Sequence, residues 1–181
     1  RRGDMTGLGV PDHHFAAVVC VFGIFFVPDM ETQVAELWRM VKPGGQLAIT
    51  TWGARFWSPA YEIWLEVVRR VRPDLVSAFN PWDRITTPAA VRKLCADGGV
   101  QNVEVAAEDG TQALRTPEDF WTMALGSGLR WTIDQMSAEQ AREIKREILE
   151  RLAANGVDRV ETNVIYAVAE KVSRRPDDPS S

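Results

Sequence analysis

The sequence has little of what metal and thiol chemistry use: two cysteines and two histidines among 181 residues. Cys20 and Cys95 sit in apolar stretches, "VVCVF" and "VRKLCA", at no metal-like spacing, and read as buried free thiols suited to a reducing compartment. His13 and His14 are adjacent and precede an apolar run, where a solvated turn outweighs a metal or catalytic role, so no metal site is expected. A basic stripe is also missing. Lys and Arg number 21 against 25 Asp and Glu, for a net charge of -4, and the two signs are interspersed, which argues against a nucleic-acid partner. The longest apolar run, residues 15–28, is too short to span a bilayer and contains Gly23, and no signal-peptide pattern is present. A cytoplasmic protein is the expectation.

Repeats and clear linkers are absent too, so one domain with helical insertions is expected over residues 1–172. The polar, Pro-containing "SRRPDDPSS" at 173–181 reads as a disordered tail. What remains is ordinary globular composition, 45% hydrophobic and 25% charged, with enough length for a sizeable core.

The pattern along the chain is that of an α/β protein. "FAAVVCVFGIFF" (15–26) is nearly continuous and β-branched or aromatic, as a strand buried on both faces would be. In "PDMETQVAELWRMVKPGG", Asp29 suits an N-cap, and Val34, Leu37, Trp38 and Val41 form a stripe at helical spacing; Pro43 and the two glycines are expected to stop that helix. "QLAITTW" (46–52) reads as the next strand, giving a strand-helix-strand unit and a parallel pair. Residues 58–71 and 87–99 read as helices with a Ser or Thr cap before Pro, separated by "RPDLVSAFNPWDRI" as a loop or lid. A strand is expected over Val100–Asp109. Helices follow in "TPEDFWTMALGSG" and in "SAEQAREIKREILERLAANG", the latter with a Ser137/Gln140 capping box and Gly156 as its stop. The last strand spans Glu161–Lys171.

In an open parallel sheet, ligands bind beyond the carboxyl ends of the strands. This places His13 and His14 at the wrong end and points instead to "FGIFF" and "WGARFWSP". Gly23 and Gly53 there admit two readings, close approach of a ligand or relief of packing. Phe22, Phe25, Phe26, Trp52, Phe56, Trp57 and Trp64 are candidates for an apolar wall, with core packing as the competing reading for many of them. Gly3, Gly7 and Gly9 invite a phosphate-cradling interpretation, but such a loop follows a strand and opens a helix. Here the glycines lead through Pro11 into another strand, which is the wrong context.

"RMVKPGG" and "ITTWG", together with "GDM" near the start and "VIYAVAEK" near the end, resemble class I S-adenosylmethionine-dependent methyltransferases of the ubiquinone/menaquinone-biosynthesis-like small-molecule type. The resemblance implies a Rossmann-like sheet, N-terminally truncated, in which Phe15–Gly23 is strand four, Gln46–Trp52 strand five, Val100–Asp109 strand six and Glu161–Lys171 the antiparallel strand seven. The family's glycine-rich cofactor loop and ribose-binding acid are not found in the sequence. The resemblance further implies S-adenosyl-L-methionine as cofactor, bound through Asp4, Met5, Val21, Phe22 and Gly23. Asp4 would accept from the adenine amino group and the Met5 amide would meet a ring nitrogen. The family's Phe-Asp-x-Val is "FAAV" here, with Ala16 in place of the acid.

Methyl transfer to a nucleophilic acceptor needs alignment and exclusion of water more than acid-base groups. Phe22 is the candidate for a cation–π contact with the sulfonium, and no catalytic base is assigned. Phe26, Trp52, Arg55, Trp57 and Tyr61 are candidates for the substrate side, with Asp83 near them. The expected function is methylation of a small, apolar acceptor by an enzyme present here as a fragment, inactive alone. The alternative is a non-catalytic remnant serving as an interaction module. A nicotinamide dehydrogenase is disfavoured because its glycine fingerprint is missing. Truncation beside strand four would leave an apolar edge open to aggregation or pairing. Acceptor identity and oligomeric state are not legible.

Overall fold

A computed structural model describes residues 3–76 and 80–172. In chain order the elements are β1 (Phe15–Val21), α1 (Met30–Met40), β2 (Val41–Trp52), α2 (Ala60–Val71), α3 (Pro88–Asp97), β3 (Glu104–Glu108), β4 (Thr111–Ala113), α4 (Pro117–Leu125), α5 (Leu129–Asp134), α6 (Ala138–Ala154), β5 (Arg159–Glu161) and β6 (Val164–Glu170). They divide into two compact units. The first is drawn from Arg1–Ala54, Pro81–Glu108 and Val164–Ser181, the second from Arg55–Asn80 and Asp109–Asn163. The tail expected at 173–181 lies outside the described residues, as do residues 77–79 of the expected loop or lid.

The first unit is a four-stranded sheet in the order β1-β2-β6-β3. β1 runs parallel to β2, with Val19 opposite Ala48 and Val21 opposite Thr50, while β6 is antiparallel to both its neighbours. The parallel pair and the antiparallel last strand follow the sequence expectation, with β3 shorter than anticipated. Cys20, Leu47, Ile49, Ile165 and Ala167 share one core with Val34 and Leu37 of α1 and Val91 and Leu94 of α3. Burial of these side chains, roughly 1.5–3 kcal/mol for each large one, holds the helices to that face.

Two expectations change here. The apolar run of β1 predicts burial on both faces, yet Phe15, Val19 and Val21 are 40%, 63% and 59% exposed, and Tyr166 and Val168 on β6 are also exposed. The reason is one-sided cover: α1 and α3 share the core that holds Cys20 and Ile49, and these exposed residues point to the other face of the pleat. The second concerns the stop of α1. The helix ends at Met40, ahead of Pro43. Its last carbonyls are taken by other groups: His13 and His14 donate backbone N–H to Arg39 and Met40 (3.0 and 2.8 Å), and Lys171 Nζ donates to the Trp38 and Val41 carbonyls at 2.7 and 3.0 Å. The glycines instead lie within the first part of β2, where its register against β1 shifts. Gly44 has φ +75°, and a Cβ on Gly45 would lie 2.6 Å from the Ala16 carbonyl oxygen, so the second glycine is required by close approach to β1.

The second unit is helical. α2, α4, α5 and α6 enclose Trp64, Phe120, Ile144, Ile148 and Leu152, and β4 pairs antiparallel with β5 beside them. The Ser137/Gln140 capping box of α6 is present in both directions, at 3.2 and 3.0 Å, and Gly156 follows the helix with φ +62°. Ser58 is not the cap expected for α2, whose N-cap is Pro59 without a side-chain bond. Its backbone belongs to a tight loop instead, the N–H donating to Arg55 and the carbonyl accepting from Glu161.

Candidate functional site

β1 and β2 end side by side because they are parallel, and this brings Phe22 and Trp52 together in the first unit. Their rings stack with centroids 4.1 Å apart and planes 25° from parallel, and the Phe22 N–H donates to the Thr50 carbonyl at 2.9 Å. Phe22 has φ +47°, a left-handed conformation that costs a non-glycine residue of order 1–3 kcal/mol. The chain therefore turns at Phe22 and not at Gly23. A Cβ on Gly23 would lie 3.2 Å from Cys20 Sγ, with no backbone nearer, which supports packing over ligand approach at that glycine. Beyond it, a short 3-10 turn (Ile24–Phe26) buries Ile24 and Phe25 and leaves Phe26 68% exposed. Phe25 meets the edge of Trp82 at 6.0 Å. Val21 points to the uncovered face and is exposed, away from Phe22.

Asp4 and Met5 lie in a turn before β1. The Thr6 backbone N–H and hydroxyl both donate to Asp4 Oδ1, at 2.8 and 2.6 Å, and hold the carboxyl below its ordinary range. Met5 is half-buried against the first unit's core, and its carbonyl accepts from Gln33 Nε2 of α1 at 3.0 Å. These bonds hold an ionised Asp4 carboxylate in a defined turn.

Arg55, Trp57 and Tyr61 belong to the second unit. Arg55 spreads its guanidinium on Glu161, Nε to Oε2 at 2.9 Å and a terminal nitrogen to Oε1 at 2.6 Å. Trp57 is 6% exposed, stacked on Phe56 at 4.6 Å and edge-on to Phe120 at 6.0 Å, so it stands in the unit's core. Tyr61 on α2 is half-buried, with its ring 5.4 Å from Phe56. Arg55 and Trp57 both take left-handed φ, +58° and +53°. Glu161 holds this strained loop through its carboxylate on Arg55, its carbonyl on the Trp57 N–H (2.9 Å) and its N–H on Ser58 (3.1 Å). Asp83 sits exposed on a 3-10 turn, Pro81–Ile85, in the first unit.

Two residues escaped the sequence reading. Gln33 is 4% exposed, and its signal was present: it falls at helical spacing with Met30, Leu37 and Met40, a polar residue on a buried stripe. Glu161 left no signal, because its partners Arg55, Trp57 and Ser58 belong to a loop far away in sequence, 106 residues for Arg55. Both cysteines are buried, and burial pushes the Cys95 thiol up to about 11, which leaves it inert. Between the sheet and α3, Leu47, Ile49, Cys95 and Val100 close against one another, with no room for a ligand and no polar side chain to orient one. No helix among the described residues is long and apolar enough to cross a membrane.

Residues 1–49 match the family model described as a methyltransferase domain. The chain is 36% identical over 78 residues to the demethylmenaquinone methyltransferase of Streptomyces avermitilis, covering 43% of this chain and 34% of that protein. It is 33% identical over 97 residues to the 2-phytyl-1,4-naphtoquinone methyltransferase of Synechococcus elongatus, covering 53% and 35%. The chain thus spans about a third of the length of the curated relatives it matches. In fold it is similar to a Bacillus halodurans C-125 protein assigned as a methyltransferase, with TM-score 0.56 at 17% identity, over 95% of this chain and 71% of the other. The likeness to methyltransferases thus lies in sequence over residues 1–49, and the likeness in fold alone extends over nearly all of the chain.

Proposed function

We propose that this chain belongs to an S-adenosylmethionine-dependent methyltransferase acting on a small, apolar acceptor, with a quinol ring system as the favoured class. The observation that carries the reading is the placement of Phe22 and Trp52 at the carboxyl ends of two parallel strands, within and just after the segment that matches the methyltransferase family. The names of the quinone-methylating relatives support the acceptor class.

When bound, the cofactor supplies an electrophilic methyl group on a positive sulfur. Asp4 holds the adenine amino group, and the Met5 N–H donates to the ring. Phe22 offers an aromatic face to the sulfonium, a contact worth about 1 kcal/mol. The Phe22–Trp52 pair presents apolar surface that keeps water from the reacting atoms and suits a flat acceptor ring. Gly23 and Phe26 follow Phe22 in the chain, and Phe26 is exposed at the turn beyond this pair. Residues 1–181 by themselves supply the adenine side but no glycine-rich loop, so the chain alone holds the cofactor weakly.

Calorimetric titration with S-adenosylmethionine tests both halves, on the 181-residue chain and on a longer protein carrying an upstream glycine-rich loop. Weak binding by the first and tight binding by the second are expected. Tight binding by the short chain overturns the claim about the fragment, and no binding by the long one overturns the cofactor assignment.

A further inference from the structure

We infer that Gln33, on α1, is a positioning residue that sets the chain's preference for adenine by fixing the orientation of the Asp4 carboxylate; the inference rests on the cofactor reading above. Three linked contacts carry it. Gln33 Nε2 donates to the Met5 carbonyl at 3.0 Å. That carbonyl and the Thr6 N–H belong to one planar peptide, so holding one end holds the other. The Thr6 N–H donates at 2.8 Å to Asp4 Oδ1, which the Thr6 hydroxyl also meets at 2.6 Å. A buried helix side chain is thereby coupled, through a single peptide, to the acid assigned to the adenine amino group.

The remainder of the turn would not hold itself. Residues 3, 4, 6 and 7 are exposed, and Gly9 takes φ +58°. Asp4 Oδ1 is saturated by Thr6, while among the described residues nothing bonds to Oδ2, which leaves it as the acceptor for an incoming amino group. Burial makes the tie specific. An amide that is 4% exposed must find a partner, because an unsatisfied one is costly, and the Met5 carbonyl is its partner across 28 residues. A leucine or methionine there would fill the stripe of α1 equally well, so the polar group serves the loop and not the helix.

The test uses the 15N-labelled chain, titrated with S-adenosylhomocysteine and with S-inosylhomocysteine, in which a carbonyl replaces the amino group. Met5 and Thr6 amide shifts report binding even when it is weak, and hydrogen exchange at Thr6 reports the loop. The wild type is expected to prefer the adenosine ligand by roughly ten-fold, since the inosine form sets an oxygen against the carboxylate. Gln33→Met should abolish Thr6 protection and bring the preference toward one, with the thermal midpoint checked in parallel. Gln33→Glu keeps the shape but loses the donor when ionised. Thr6 protection should then be low at neutral pH and return as the introduced carboxyl protonates, a readout that survives poor folding of the methionine variant. Retained protection and preference in either variant overturn the inference alone. Absence of any shift in the wild type with either ligand overturns the adenine role of Gln33, while the cofactor reading itself is decided by the titration of the longer protein.

Discussion

The Phe22 and Trp52 rings stack 4.1 Å apart at the ends of two adjacent parallel strands, and the Phe22 backbone is held in a left-handed turn by its N–H on the Thr50 carbonyl. A sulfonium attracted to this face would distinguish a charged ligand from a neutral one. Phe22→Leu keeps apolar volume and removes the ring. It should weaken S-adenosylmethionine about five-fold, for about 1 kcal/mol of cation–π attraction, and S-adenosylhomocysteine much less. Equal losses measured by calorimetry would show that the ring serves only as packing.

Trp57 invites a different test, because its burial settles where its energy goes. It is 6% exposed and contacts Phe56 and Phe120 in the core of the second unit. Trp57→Ala should lower stability by about 3–5 kcal/mol, seen as a large fall in the urea midpoint. A loss within about 0.5 kcal/mol, as for a surface site, would return Trp57 to the acceptor wall.

Much of this was legible in the sequence, and the gaps have physical causes. α1 and α6 declared themselves through caps and helical spacing, since those signals are local: Asp29 accepts from the Thr32 N–H at 2.9 Å, and Ser137 from that of Gln140. The strand pattern of β1 gave its presence but not its cover, because an apolar run does not report which neighbours surround each face. β4 and β5 are three residues each, too short for periodicity. Asp4 came only through family likeness, and Gln33 is tied to its loop by a bond spanning 28 residues, which no window along the chain can show.

Acid should weaken the fold through carboxylates that are better stabilised folded than unfolded. Thr32 N–H and hydroxyl bonds hold Asp29 below its ordinary 3.8, and Arg39 does the same for Asp12 and Glu36. A lowered folded value means the unfolded chain binds the proton more tightly. The contribution is therefore complete above the unfolded value and is lost as pH falls through the folded one. Thermal midpoints should be level from about pH 7 to 5 and fall below about pH 4. Asp29→Asn still caps α1 but cannot titrate, so its fall should be shallower; a curve parallel to wild type would remove Asp29 from the account.

The uncovered face of β1 makes the last prediction. Val19 and Val21 are 63% and 59% exposed, β1 carries no charge or proline, and among the described residues its only strand partner is β2. An apolar edge without such guards pairs with other chains. The average mass of the chain by light scattering should rise with concentration. Val19→Lys places a charge on that edge at a site where no packing is lost, so it should suppress the rise without lowering the thermal midpoint. If the lysine variant associates as strongly as the parent, the edge is not the adhesive surface, and the exposed Tyr166 and Val168 on the same face become the next positions to charge.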